Sequence, residues 1–186
     1  MIAKIEDNVF AIKGNYYVYL INSNGLIIID SSDSSDSTFI VNEIIELSTR
    51  LQSKPKFLIL TSCRKEVAGG ASFISNFFNI PVVASSLDAP LIRKGVCEND
   101  SYPPVNISIE LKENRINESD ILAIPAKSIK GGGIILKYKD IIFSGALNIS
   151  GIMGKVRYIC NAFKFEKVEE PWFMKRDVKV VEGSQN

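Results

Sequence analysis

The amino-acid sequence predicts an α+β domain in which two β-sheets pack face to face with helices outside, an αββα sandwich of four layers. Three observations lead there: short apolar strands joined by tight turns at the start, a strand–helix–strand section in the middle, and a return to strands in the second half. The chain has 186 residues, 46% of them hydrophobic and 23% charged, which suits one globular domain with a sizeable core.

The elements follow in order. Val9 to Lys13 and Tyr16 to Asn22 read as adjacent strands joined at Gly14-Asn15, a dipeptide suited to a hairpin. After a turn at Asn24-Gly25, the run Leu26 to Ile29 is apolar at every position, so it is expected to be buried on both faces. A loop of small polar residues, Ser31 to Ser37, ends where Asp36 or Ser37 is placed to cap a helix. Ile40, Ile44, Leu47 and Leu51 then recur at helical spacing, with Val41 and Ile45 widening the stripe. Lys54-Pro55-Lys56 stops that helix, and Phe57 to Leu60 is the next buried strand, parallel to Leu26 to Ile29.

Gly69-Gly70 opens a second helix running to about Phe78, followed by a strand at Ile80 to Ala84 and a short helix from Ser86 to Arg93 ending at Gly95. Val96 to Pro104 is polar and contains Pro103-Pro104, so it reads as an exposed loop. Ile107 to Leu111, Ile121 to Ile124, Gly133 to Lys137 and Ile141 to Ser144 read as strands, and Phe163 and Phe165 alternate with charges as in another. Residues 1–181 are taken as a single domain and 182–186 as a disordered tail.

Composition excludes several kinds of function. The chain contains no histidine, so histidine-ligated metal, a histidine base and a Ser-His-Asp triad are all ruled out. A net charge of +1 supplies no field for nucleic acid, and the mixed signs from Lys164 to Glu182 read as a solvated face. The apolar runs are strand-sized, so no membrane is expected, and there is no signal-peptide pattern. The three cysteines, Cys63, Cys97 and Cys160, are odd in number and widely spaced, which argues against a disulfide framework and for a cytoplasmic location.

The informative segment is Thr61-Ser62-Cys63-Arg64-Lys65-Glu66-Val67-Ala68-Gly69-Gly70. Its frame resembles the metallo-β-lactamase signature T-H-x-H-x-D-H-x-G-G, shared by glyoxalase II-like hydrolases, with Thr61, Gly69 and Gly70 matching. Ser62, Arg64 and Val67 stand at the histidine positions and Glu66 at the aspartate. Asp30 resembles the aspartate that ends the preceding strand in that family, and Ile80 to Ala84 with Asp88 to Leu91 looks like its usual continuation. Ile124-Pro125-Ala126-Lys127-Ser128 sits where the family has P-G-H-T, which places Lys127 at a further histidine position. Phe143-Ser144-Gly145-Ala146 looks like F-x-G-D, with Ala146 at the bridging aspartate. The resemblance implies the family's four-layer sandwich, shortened at the C-terminus and with no counterpart to its last ligand histidine.

The same resemblance implies lost activity, because zinc or iron sites need imidazole and carboxylate ligands that converge. Of the matched ligand positions, Glu66 alone can bind metal, so no cofactor is expected. The first expectation is therefore a non-catalytic member of the fold, an interaction or structural subunit with a homo-oligomeric or other protein partner. A second is an anion or small-ligand binder, or a metal-independent enzyme, built on Arg64, Lys127 and Glu66, with Arg64 and Lys127 as the anion-binding pair. A third is a residual hydrolase with a non-standard metal site from Glu66, Asp30 and Cys63. Arg64 and Lys127 also have a plainer reading, as salt-bridge partners of Glu66 that fill the vacated site. Cys63, beside Arg64 and Lys65, reads as an ordinary loop cysteine or, less simply, as a nucleophile or redox sensor. The run Gly131-Gly132-Gly133 is taken as a turn, and Pro171-Trp172-Phe173-Met174 as closing the core or anchoring a partner.

Overall fold

The structure is a computed structural model and describes residues 1–112, 120–126, 132–147, 149–150, 155–168 and 179–180. The chain opens with an antiparallel meander of β1 (Ile2–Glu6), β2 (Val9–Lys13), β3 (Tyr17–Asn22) and β4 (Leu26–Ile29). After a 3-10 turn at Ser34–Asp36 comes α1 (Ser37–Leu51), then β5 (Pro55–Ile59), parallel to β4. Two helices, α2 (Lys65–Ala68) and α3 (Ala71–Phe78), lead to β6 (Val82–Ser85), and α4 (Ala89–Lys94) leads into a small hairpin of β7 (Val96–Cys97) and β8 (Asp100–Ser101). With β9 (Ile109–Leu111) at its far edge, the first sheet runs in the order β1-β2-β3-β4-β5-β6-β9.

The second sheet contains β10 (Ile121–Pro125), β11 (Ile134–Tyr138) and β12 (Ile141–Gly145). After β13 (Ile149–Ser150), β14 (Tyr158–Asn161) pairs in parallel with β12, and β15 (Phe165–Lys167) forms the edge. β13 also pairs with β16 (Lys179–Val180).

Strand periodicity sorts the apolar side chains between layers. In the first sheet Phe10, Ile12, Val18, Leu20, Leu26, Ile28, Leu58 and Leu60 face the helices, packing on Ile40, Val41, Ile44 and Leu47 of α1 and on Ile74 of α3. The alternate residues, among them Tyr19, Ile21, Ile27, Ile29 and Ile59, face the second sheet and meet Ile134, Leu136, Phe143 and Cys160. Ile124, Ile135, Ile142 and Ile159 lie on the outer face of the second sheet. A sheet enclosed on both sides needs apolar residues in unbroken runs, which is why Leu26 to Ile29 carries no polar position. Tyr19 ties the two sheets together. Its ring packs on Phe143 at 5.4 Å, and its hydroxyl donates to the carbonyl of Asn161 at 2.6 Å.

Several local expectations change. β1 was not anticipated, although Ile2-Ala3-Lys4-Ile5-Glu6 pairs along β2. Asp36 stands at the N-cap of α1 without capping it; its carboxylate accepts from the Asn15 amide at 2.6 Å and the Ser32 hydroxyl at 3.0 Å. Ser37 does not cap either, since it is already the first residue of the helix and its hydroxyl donates to carbonyls. Phe163 lies exposed in the turn between β14 and β15, while Phe165 is in the strand. Ile45, assigned to the buried stripe of α1, is partly exposed. Gly131, the Pro171 to Met174 cluster and the tail 182–186 lie outside the described residues.

Candidate functional site

The site is built where the loop after β5 meets the ends of β4 and β12. Asp30 follows β4 with φ +62°, a left-handed conformation that turns its carboxylate inward. That carboxylate accepts the Thr61 amide and hydroxyl, both at 2.9 Å, and is fully buried. Gly145, at the end of β12, closes the triangle: a Cβ there would lie 1.9 Å from the Thr61 Oγ1 and 3.3 Å from the Asp30 Oδ2. The Thr61 carbonyl accepts from Ile134 at 2.8 Å, so both sheets are pinned at one point. The double glycine serves close approach as well, because Cβ atoms at Gly69 and Gly70 would meet the Asp33 Cα at 2.8 Å and the Ser31 carbonyl at 2.5 Å.

Burial, with no countercharge among the described residues, pushes the Asp30 carboxyl up to about 7, against the opposing effect of the Thr61 hydrogen bonds. A carboxyl whose folded pKa is raised holds its proton more tightly in the native state than in the unfolded chain. Its stabilising contribution is therefore complete below the unfolded value near 3.8 and is lost as pH rises through about 7. The Asp30→Asn variant keeps an acceptor for Thr61 but cannot ionise. Its stability relative to wild type is expected to rise between pH 4 and pH 7 by at least about 1.4 kcal/mol, the equivalent of one pKa unit. Urea midpoints across that range check this, and two parallel curves would contradict it.

The positions that stand for metal ligands divide. Ser62 is buried, and its hydroxyl accepts from the Arg64 amide at 3.4 Å. Val67 is buried, while its carbonyl receives both the amide and the hydroxyl of Ser31 at 2.8 Å. Ala146 lies half-buried just beyond Gly145. Glu66 is half-buried in the first turn of α2; its Oε2 is buried without a hydrogen-bond partner among the described residues. Arg64 pairs with Glu98 at 3.6 Å rather than with Glu66, and both side chains are more than 40% exposed. Lys127 lies outside the described residues. An ion pair so exposed contributes little, so Arg64→Ala is expected to change stability by under about 1 kcal/mol. A larger loss on thermal unfolding would show that the guanidinium has a further partner.

The cysteine arrangement corrects the sequence reading. Cys63 and Cys97 form a disulfide with Cα atoms 5.6 Å apart, and Cys160 alone is free, buried between the sheets. An odd count hid one pair and one core thiol, since widely spaced cysteines can still meet once α3 and α4 fold back. Val96 to Pro104 is accordingly no free loop. Its hairpin is tied to the motif loop by the disulfide, by Lys65 with Asp100 at 2.9 Å, and by the Tyr102 hydroxyl donating to the Cys63 carbonyl at 2.5 Å. Tyr102 and Cys97 are buried, and their alternation with exposed Val96 and Glu98 was the available signal.

The metal that the resemblance implies does not fit this set of side chains. Cys63 has its sulfur in the disulfide, Asp30 is engaged by Thr61, Arg64 is cationic, and Val67 and Ala146 offer no donor. Among the described residues no three His, Cys, Asp or Glu come together as a metal-binding group. Nor is any helix among them long and apolar enough to cross a membrane.

Among solved structures the chain is similar to the metallo-β-lactamase of Cronobacter sakazakii described by its HARLDQ motif, with a TM-score of 0.69 and 15% identity over 87% of this chain and 77% of that one. It is similar to BJP-1, a subclass B3 metallo-β-lactamase of Bradyrhizobium japonicum, with a TM-score of 0.65 and 18% identity over 87% and 76% of the two chains. A B3 metallo-β-lactamase with an active-site glutamic acid matches with a TM-score of 0.69 and 17% identity, over 87% and 80%. No protein-family model matches the chain, and no curated protein sequence matches it. The chain has the metallo-β-lactamase fold. Against the letters H-A-R-L-D-Q, residues 62–67 read S-C-R-K-E-V, with an arginine at the third place and an acid at the fifth in both.

Proposed function

We propose that this chain is a non-catalytic protein of the metallo-β-lactamase fold that serves as an interaction or structural subunit, alone in several copies or with another protein. The observation that carries this reading is the use made of the motif loop. Thr61 and Asp30 bond to each other, Cys63 is cross-linked to Cys97, and Lys65 is paired with Asp100. These contacts stiffen a loop end whose ligand positions no longer offer converging donors. The reading includes a cytoplasmic location, whose reducing poise acts on the Cys63–Cys97 bond.

Arginine at the third motif place does not by itself oppose hydrolysis, because the Cronobacter protein named as a metallo-β-lactamase has one there too. Residual metallohydrolysis is therefore the alternative for experiment to remove. Elemental analysis of protein purified without chelator is expected to find far less than one zinc, iron or manganese per chain. Zinc titration calorimetry is expected to show no saturable site, and light scattering to show a mass above that of one chain or a co-purifying partner. Stoichiometric metal with hydrolysis of a β-lactam or a thioester would sink the proposal. A monodisperse, partnerless monomer would remove its interaction half.

A further inference from the structure

We propose that Cys63 and Cys97 are a reversible redox couple that, when oxidised, clamps the β7–β8 hairpin onto the loop after β5 and, when reduced, lets the hairpin open and bare that loop. This does not depend on the absence of metal. The hairpin belongs to neither large sheet, and its strands are two residues each. Its other ties to the motif loop are one hydrogen bond from Tyr102 and the ion pairs Arg64–Glu98 and Lys65–Asp100. All four charged side chains of those pairs are at least 40% exposed, so solvent and salt screen them. Beside the buried rings and backbone bonds of the hairpin, the disulfide is thus its covalent tie to the motif loop.

Cys63 and Cys97 are each only 5% exposed, so a reductant reaches their sulfurs on a locally opened hairpin. A two-residue ladder at the surface is the kind of unit that opens without global unfolding. The reductant is a dithiol. One of its thiolates attacks a sulfur of the pair and forms a mixed disulfide, and its second thiolate resolves that bond. Two electrons and two protons pass to Cys63 and Cys97, and the dithiol leaves as its own disulfide. Cys160 lies between the sheets, on the far side of the first sheet from this cluster, and does not compete.

The test uses the full wild-type chain in mixtures of reduced and oxidised dithiothreitol, with thiols trapped by a maleimide mass tag and amide exchange followed by mass spectrometry. As the mixture becomes reducing, two thiols are expected to become taggable, and residues 95–102 to exchange at least about ten-fold faster by an opening that leaves β3 to β5 protected. The Cys97→Ser variant is expected to reproduce the exchange pattern under oxidising conditions, with Cys63 alone newly taggable. The proposal is overturned if the thiols stay untaggable until denaturant is added, if 95–102 exchanges at the same rate in both forms, or if 95–102 in the reduced form is no less protected than the first sheet.

Discussion

Replacing Gly145 by alanine is expected to destabilise the protein by about 3–5 kcal/mol, adding left-handed strain to overpacking. Gly145 has φ +56°, where a β-carbon is strained whatever the space around it. There is also no space, since that carbon would sit 1.9 Å from the Thr61 Oγ1 and 2.9 Å from the Thr61 Cβ. Relief would require Thr61 to swing away from Asp30, leaving a buried carboxyl without its hydroxyl donor. Backbone adjustment is blocked as well, because the Gly145 carbonyl accepts from Ala162 at 2.8 Å and the Thr61 carbonyl from Ile134 at 2.8 Å. Urea unfolding of the variant measures the cost. A loss below about 1 kcal/mol, the size of an ordinary surface change, would mean that the three elements do not meet as closely as described.

Joint replacement of Cys63 and Cys97 by alanine is expected to cost about 4 kcal/mol of global stability, chiefly by releasing the unfolded chain from a closed loop. The bridged residues are 34 apart in sequence, intermediate between the short and long loops for which chain entropy predicts about 3 and 4.7 kcal/mol. Wild type unfolded in urea with excess dithiol should approach the midpoint of the double variant, and the variant itself should ignore the dithiol. Equal midpoints for oxidised wild type and the double variant would show that the bond adds no net constraint on the unfolded chain. Stability of this size is separable from the local opening of residues 95–102, which amide exchange reads segment by segment.

Much of the fold was legible because its causes are local. Leu26 to Ile29 announces a strand covered on both faces by lacking any polar residue, and Ile40, Ile44 and Leu47 announce a helix by their spacing. The frame of the site was legible too: Asp30, Thr61, Gly69, Gly70 and Gly145 were singled out by resemblance, and the structure gives each a close contact. What could not be read was partnership. Arg64 has Glu66 two residues away, yet its carboxylate is Glu98. Asp36 looked like a helix cap because caps are recognised by position along the chain, while its actual donors, Asn15 and Ser32, come from the hairpin turn and the loop beside it.

By itself, then, the sequence determined the α+β class, most of the strands and helices between β2 and β12, and the absence of any histidine with which to build the fold's metal site. These follow from residue type and short-range periodicity. Only the tertiary structure decided that Cys63 meets Cys97, that the polar stretch from Val96 is a hairpin strapped across the motif loop, and that the buried Asp30 carboxyl is held by Thr61. Each of those depends on side chains brought together from distant parts of the chain by burial of the apolar faces between them, and their separation along the sequence carries no trace of that meeting.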